Sequence, residues 1–295
     1  MIKSALYYKD AYLKEFETIV KECFIQNGKI KVVLEETAFY PEGGGQNSDV
    51  GIIDGVKVLA VEEKDSKIYH IVEKELNVGK KVKAKIDFNN RFANMQKHTG
   101  EHIVSGIICR SFNAINVGFH MGSDFVTLDF DVNISKEELR EIEKEANIAV
   151  YKNIDIIEKI YTPEEAKELT YRSKKELKEE IRIIEIPGYD ICACCGIHVA
   201  KTGEIGIIKL LKVQKYKSGC RIFMLAGLEA VNDYTDKFNQ IDNISTLLSL
   251  KINEVYDGVI KLMKENEVLQ KERNVLKKQI YEQEIRNLPN NKNII

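Results

Sequence analysis

In the stretch "KHTGEHIVSG", His98 and His102 stand four residues apart with Glu101 beside the second. On a helix, residues i and i+4 share one face, so both imidazoles can reach a single metal ion. Read with its glutamate, the pattern is HxxEH, that of the inverzincin metallopeptidases, with Glu101 as general base. Read without it, it is half of a four-ligand site. Far along the chain, "CACCGIHVAKTGEIG" supplies another local pair, Cys194 and His198, spaced Cx3H. Two such pairs brought together by folding are a common way to build a zinc site. Imidazole and thiolate suit Zn2+ better than Mg2+ or Ca2+, which prefer oxygen. The expected ligands are therefore His98, His102, Cys194 and His198. Cys192 and Cys195 read as small buried residues or spare thiols, with Cys195, spaced Cx2H, the replacement should Cys194 not bind. His70 and His120 read as structural, His120 also as a residue that can line a pocket.

Two further stretches have the composition of a binding surface. "FYPEGGGQNSD" places Gly43, Gly44 and Gly45 before Gln46, and consecutive glycines let backbone N–H groups come close to an anion or a nucleoside. Lys209, Lys212, Lys215, Lys217 and Arg221 lie in or beside strand-like segments, where alternation would set many of them on one face that can contact phosphate. The plain alternative is a solvated face. The net charge is −2, so any nucleic acid must be held by local patches.

The elements that must position these residues fall into three regions. Over 1–88, short β-branched runs cut by Gly, Asn and Asp predict a small β-barrel. They include "KIKVVLEETAFY", "VGIIDGVKVLAVEEK", "KIYHIVEK" and "KKVKAKIDF", with a hairpin turn at Asp54-Gly55. Over 89–235, helical spacing begins at "NNRFANMQKHTGEHIVSGIICRSF" and then alternates with strands such as "FVTLDFDV", "IRIIEIPG" and "IGIIKLLKVQKY", giving an α+β domain. Ser135 with Glu138 forms a capping box, and Pro163 opens another helix. Over 236–295, Ile252, Val255, Val259, Leu262, Leu269, Leu276 and Ile280 follow coiled-coil steps, with Asn266 and Arg273 on the same seam. A buried amide there fixes register, so a homodimer through this helix is expected. "NLPNNKNII" reads as a frayed tail.

At 295 residues, with 44% apolar and 31% charged residues, the chain is of ordinary globular composition. No apolar run approaches a membrane span and the N-terminus is too charged for a signal peptide, so a cytosolic location and no membrane partner are expected. The six cysteines are not spaced as a disulfide framework.

"FYPEGGGQNSD", "HTGEH", "GFHMGSDFVTLDF", "CCGIHVAKTGEIG" and "SGCRIFMLAG" occur in the order found in the AlaX alanyl-tRNA editing proteins, free-standing relatives of the editing domain of alanyl-tRNA synthetase. The resemblance runs from about residue 30 to 230 and is specific, because five motifs agree in order and spacing. It implies a translation-factor-like barrel followed by an α+β editing domain, with His98, His102, Cys194 and His198 as zinc ligands. It also implies Gly43, Gly44, Gly45 and Gln46 as the family's glycine motif, and Thr37 as the residue near a substrate hydroxyl. The implied reaction is hydrolysis of Ser-tRNA(Ala), with Gly-tRNA(Ala) a harder substrate because glycine offers no extra group to grip. Glu101 is then a general base or a partner of a zinc histidine, and Lys212 and Arg221 are candidate tRNA contacts. The zinc itself is either catalytic or positioning. In place of the family's usual Cys-Gly-Gly-Thr-His, this chain has Cys195 and Ile197 at the first and third intervening positions. Longer members continue into a further domain, so a truncated form is expected here. The competing readings are a zinc-stabilised tRNA-binding module without catalysis, an HxxEH peptidase, and editing of a different tRNA such as threonyl.

Overall fold

The computed structural model describes residues 5–173 and 180–288. The expected tail from Pro289 onward lies outside them. The chain divides into two compact units, Met1–Val231 and Asn232–Ile295.

The first unit opens with β1 (Glu15–Gln26), β2 (Lys29–Leu34), β3 (Gly51–Ile53), β4 (Val56–Lys64), β5 (Lys67–Val72) and β6 (Lys81–Ile86). They close into a barrel in the order β1-β2-β5-β4-β3-β6, so no edge is left open. The Asp54-Gly55 turn joins β3 to β4 with both residues at positive φ, the backbone a two-residue hairpin needs. β1 was not among the expected strands. Its apolar residues are consecutive at Ile19-Val20 and at Cys23-Phe24-Ile25 where alternation is expected, and a bulge between Val20 and Glu22 resets the pattern. The run "KIKVVLEETAFY" is strand only to Leu34, after which the chain leaves the barrel toward the glycine turn.

Asp87 caps α1 (Phe88–Phe112) by accepting from the Asn90 amide at 3.2 Å. This helix is the spine of the α+β part, and much of what it buries is polar: Arg91, Asn94, Thr99, Glu101 and Ser105 as well as both histidines. After it come β7 (Asn116–Met121), β8 (Val126–Phe130), α2 (Lys136–Lys152), β9 (Ile157–Tyr161), α3 (Pro163–Ala166), β10 (Ile181–Ile186), β11 (Asp190–Ala193), β12 (Ile208–Tyr216) and β13 (Gly219–Ala226). They form a four-stranded sheet in the order β12-β13-β8-β7 and a three-stranded sheet in the order β11-β10-β9. The expected capping box of Ser135 and Glu138 starts α2, and Pro163 opens α3 behind a second box of Thr162 and Glu165. α2 covers the outer edge of β12 with side chains. Asn147 accepts from the Ile208 amide and donates to the Ile208 carbonyl, while Glu143 accepts from the Leu210 amide.

One apolar core runs through barrel and sheet, joining Val20, Phe39 and Ile86 to Ile103, Leu128 and Met224. Across it, the fully buried Arg91 of α1 donates to Asp49, to the Ala38 carbonyl and to the Ala11 carbonyl. Asp49 also accepts from the Tyr40 amide. The loop between β2 and β3, which carries the glycine turn, is thus tied to the helix that carries the histidines. The second unit holds most of α4 (Leu228–Leu248) and all of α5 (Val255–Asn287), on which Val259, Leu262, Leu269, Leu276 and Ile280 are exposed. No helix among the described residues is long and apolar enough to cross a membrane.

His70, buried on β5, faces the Val32 carbonyl through Nδ1 and the Thr37 hydroxyl through Nε2. Burial holds its pKa down at about 4, against an ordinary 6.5. The unfolded chain therefore takes up a proton that the folded chain refuses. The stabilisation is fully present above pH 6.5 and lost as pH falls toward 4, amounting to about 3 kcal/mol. Urea unfolding across that window is expected to show a steeper loss for the native chain than for His70→Gln; parallel losses would contradict it.

Candidate metal centre and adjoining cleft

His98 and His102 project from the middle of α1, one turn apart, toward the loop that follows β11. That loop is held by its carbonyls. Arg182 Nη1 donates to the carbonyls of Cys194 at 2.8 Å and Gly196 at 2.7 Å, and the Tyr8 hydroxyl donates to that of Cys195 at 3.0 Å. Arg182 is itself gripped by both carboxylate oxygens of Glu158 and lies over the Tyr8 ring. Gly196 makes the close approach possible, since a Cβ there would sit 2.0 Å from His98 Cε1.

The result is a cluster in which His98, His102, Cys194 and His198 each offer a ligand atom, all within 4.8 Å of one another. The surrounding hydrogen bonds set the histidine tautomers. The Gln46 atom facing His98 accepts from the Ile197 amide at 3.1 Å, so it is the carbonyl oxygen, and His98 Nδ1, 2.7 Å away, must be the donor. His98 Nε2 is left with its lone pair 3.4 Å from Cys194 Sγ. The Thr99 hydroxyl gives its proton to the Met95 carbonyl, so His198 Nδ1, at 3.2 Å, donates to Thr99. His198 Nε2 is then a buried lone pair with no hydrogen-bond partner, the state of a ligand nitrogen. His102 Nδ1 lies 2.9 Å from Asp190 Oδ2, off the direction of a good hydrogen bond. A proton there faces the carboxylate and frees Nε2, the carboxylate–histidine arrangement common behind metals.

Electrostatics act on the protonation states too. Burial lowers the His102 pKa, but Asp190 and the neighbouring cysteines outweigh burial and raise that pKa well above the usual range, so an ion would bind there in exchange for a proton. Burial pushes the Cys194 thiol up, but the adjoining imidazoles, His98 foremost, outweigh it, and its pKa falls well below the usual range. The Gly196 amide also donates to Sγ at 3.2 Å. Burial, reinforced by His98, holds His198 neutral. One thiolate and three imidazoles fit a borderline-soft ion of the zinc type. His102, Asp190 and Cys192 also lie close enough to share an ion. They make the poorer set, because Arg172 occupies both Asp190 oxygens and burial raises the Cys192 thiol to about 11.

Gly43 and Gln46 exchange backbone hydrogen bonds, folding the glycine motif into a tight turn. Gly45 sits at φ +85°, and a Cβ on it would strike the Phe119 ring, which stacks on His98. The Gly44 and Gly45 amides make no backbone hydrogen bond among the described residues. The turn borders a cleft of about 430 Å3 lined by Gly43, Gly45, Gln46, Glu42, Glu63 and His120 among others. Thr37 is not on this lining. Its hydroxyl donates to His70 Nε2 and accepts from the Phe39 amide inside the barrel. Glu101 is buried beside the cluster, its Oε1 accepting from Ser105 and Asn116 and its Oε2 3.9 Å from His102 Nε2. Arg221 forks onto Asp129 on the four-stranded sheet, where Lys212 is exposed.

Residues 5–90 match the model of class II (A) tRNA synthetases, and residues 181–223 match the threonyl and alanyl tRNA synthetase second additional domain. The chain is 32% identical over 287 residues to the alanyl-tRNA editing protein AlaX-L of Pyrococcus horikoshii, covering 90% of this chain and 70% of that one. It is 38% identical over 240 residues to AlaX-M of Methanosarcina mazei, covering 74% of this chain and 94% of that one. The chain belongs to the AlaX family of alanyl-tRNA editing proteins. It is also 38% identical over 244 residues to the alanine–tRNA ligase of Methanobrevibacter smithii, of which the match takes in 27%. Within this AlaX chain, the reading of the sequence overlooked Asp190, Arg172, Thr99 and Arg182. No motif announces them, because each acts on a ligand or its loop through folding contacts.

The expected metal content is one divalent ion per chain. Cys194→Ala and His198→Ala should each lose most of it by elemental analysis, whereas Cys195→Ala retains it; equal loss from Cys195→Ala would contradict the assigned sulfur ligand.

Proposed function

We propose that the protein is a zinc-dependent hydrolase that deacylates Ser-tRNA(Ala), and Gly-tRNA(Ala) less readily. The observation that carries this reading is the juxtaposition, in an AlaX chain, of the three-imidazole, one-thiolate cluster with the glycine turn through Gln46. In the reaction, water adds to the ester carbonyl, the bond to the ribose oxygen breaks, and a proton passes to that oxygen. Serine and free tRNA leave.

Zinc held by His98, His102, Cys194 and His198 would supply a Lewis acid or an anchor for the aminoacyl group. The Gly44 and Gly45 amides are available to the terminal nucleoside or to developing negative charge. Glu101 has only Oε2 left for proton transfer, since Oε1 is already engaged twice. Thr37 enters through the loop it braces, its hydroxyl holding the Phe39 amide at the start of the segment that leads to Gly43–Gln46. A site that hydrogen-bonds the serine hydroxyl can reject alanine, which would leave those groups unpaired, by up to about 10⁴-fold. On the exposed α5 seam, Asn266 supports pairing of two copies.

Purified protein is expected to release serine from Ser-tRNA(Ala), leave Ala-tRNA(Ala) intact, and lose activity with a chelator or with His102→Ala. Cleavage of a peptide pool, or tight tRNA binding without release, would contradict the reading. Glu101→Gln is expected to keep its metal and lose turnover by about 10²-fold or more; near-normal turnover removes the proton-transfer role.

A further inference from the structure

The cleft beside the glycine turn has walls of opposite character. Its barrel side presents Glu42 and Glu63 beside Lys64, with Glu62 held by Lys31 and Lys29, and its sheet side presents His120 on the edge strand β7. The turn joins that edge directly, the Met121 amide donating to the Gly45 carbonyl at 3.3 Å. The barrel rim offers a polyanion one lysine beside two carboxylates, so the sheet side is the more favourable path.

The outer face of that sheet is built for such a path. Cross-strand partners point to the same face, and His120 pairs with Thr127, Thr127 with Phe223, and Phe223 with Lys212. One row of side chains therefore crosses all four strands and ends at the cleft. At ordinary strand spacing it is about 14 Å long. The opposite face carries Met121, Leu128, Ile222 and Met224, all buried in the core. On the outer face Phe125, 39% exposed, meets Phe223 edge-on at 5.9 Å. Lys212 Nζ lies 4.4 Å from the Phe223 ring centre, and Lys217 Nζ 5.2 Å from that of Tyr216. Neither lysine makes an ion pair among the described residues, so their charge is not neutralised by the protein. Arg221, by contrast, is occupied by Asp129 while its guanidinium covers Tyr216 at 3.8 Å. Aromatic rings flanked by uncompensated cations are the working parts of a single-strand binder, with bases on the rings and phosphates by the cations.

We propose that this face is a stacking platform for the single-stranded 3′ tail of the RNA whose esterified end enters the cleft. Phe125 and Phe223 take the bases, and Lys212 and Lys217 take the phosphates. The proposal rests on the tRNA-ester reading for the identity of its occupant, but its test does not need the ester.

A labelled single-stranded RNA ending in CCA, without an amino acid, is titrated with the full chain by fluorescence anisotropy. Binding is expected to weaken by about 5- to 100-fold in Phe223→Leu and in Phe125→Ala. Phe223→Tyr should retain it, and Lys212→Ala should lower the salt slope by about one. Phe223→Leu keeps apolar bulk, and a thermal melt verifies folding. No binding by the native chain, or binding unchanged in both phenylalanine variants, overturns the proposal. On Ser-tRNA(Ala), the same variants should raise KM and leave kcat unchanged. Deacylation with KM unchanged in both would overturn the platform and leave the deacylase reading standing; RNA binding that follows the pattern above without deacylation would do the reverse.

Discussion

A single carbonyl oxygen joins the three segments that make the site. Gln46 Oε1 takes the Nδ1 proton of His98 and the amide proton of Ile197 at once. The glycine turn, the helix with the first histidine pair and the loop with the second pair are thereby referenced to one atom. The atom also decides chemistry, because it forces His98 to present Nε2 toward Cys194. Moving the turn would move the cleft and the donor cluster together. Arg91 secures the same loop deeper in the molecule through Asp49 and Ala38.

This arrangement is costly for folding. α1 buries imidazoles, a carboxylate, hydroxyls and a guanidinium where a purely structural helix would bury leucine. The penalty is contained because nearly every group has a partner: Glu101 has Ser105 and Asn116, Thr99 has Met95 and His198, and Asp190 has Arg172. Among the described residues, two buried side-chain nitrogens lack a hydrogen bond: His102 Nδ1, which faces Asp190, and His198 Nε2, which faces the other donors of the cluster. A chain that satisfies so many buried polar groups and leaves His198 Nε2 among those donors is organised around something that completes it. The same economy explains Arg182, whose forked contact with Glu158 frees one nitrogen to hold the Cys194 and Gly196 carbonyls of the cysteine loop.

What was legible in the sequence follows the range of the interactions. The donor pairs were visible because each is local, spaced by a helical turn or a short loop, and the Ser135 capping box and the Pro163 helix start for the same reason. The barrel was visible through its β-branched runs, although β1 escaped because its bulge scrambles the alternation. The coupling of Gln46 to Ile197 spans 151 positions, and no local pattern records it. Thr37 shows the limit from the other side. Its position relative to the motif suggested a substrate contact, whereas its hydroxyl lies in the barrel between His70 and Phe39. Lys212 and Arg221 looked alike as charges on adjacent strands, yet Asp129 occupies Arg221, whereas Lys212 lies over the Phe223 ring with no carboxylate partner among the described residues.

The central claim is that His98, His102, Cys194 and His198 share one ion. X-ray absorption spectroscopy of the zinc-loaded protein tests it most directly. The account predicts a four-coordinate first shell with one sulfur near 2.3 Å and imidazole nitrogens at about 2.0 Å. A first shell without sulfur, or one made of oxygen alone, would contradict it.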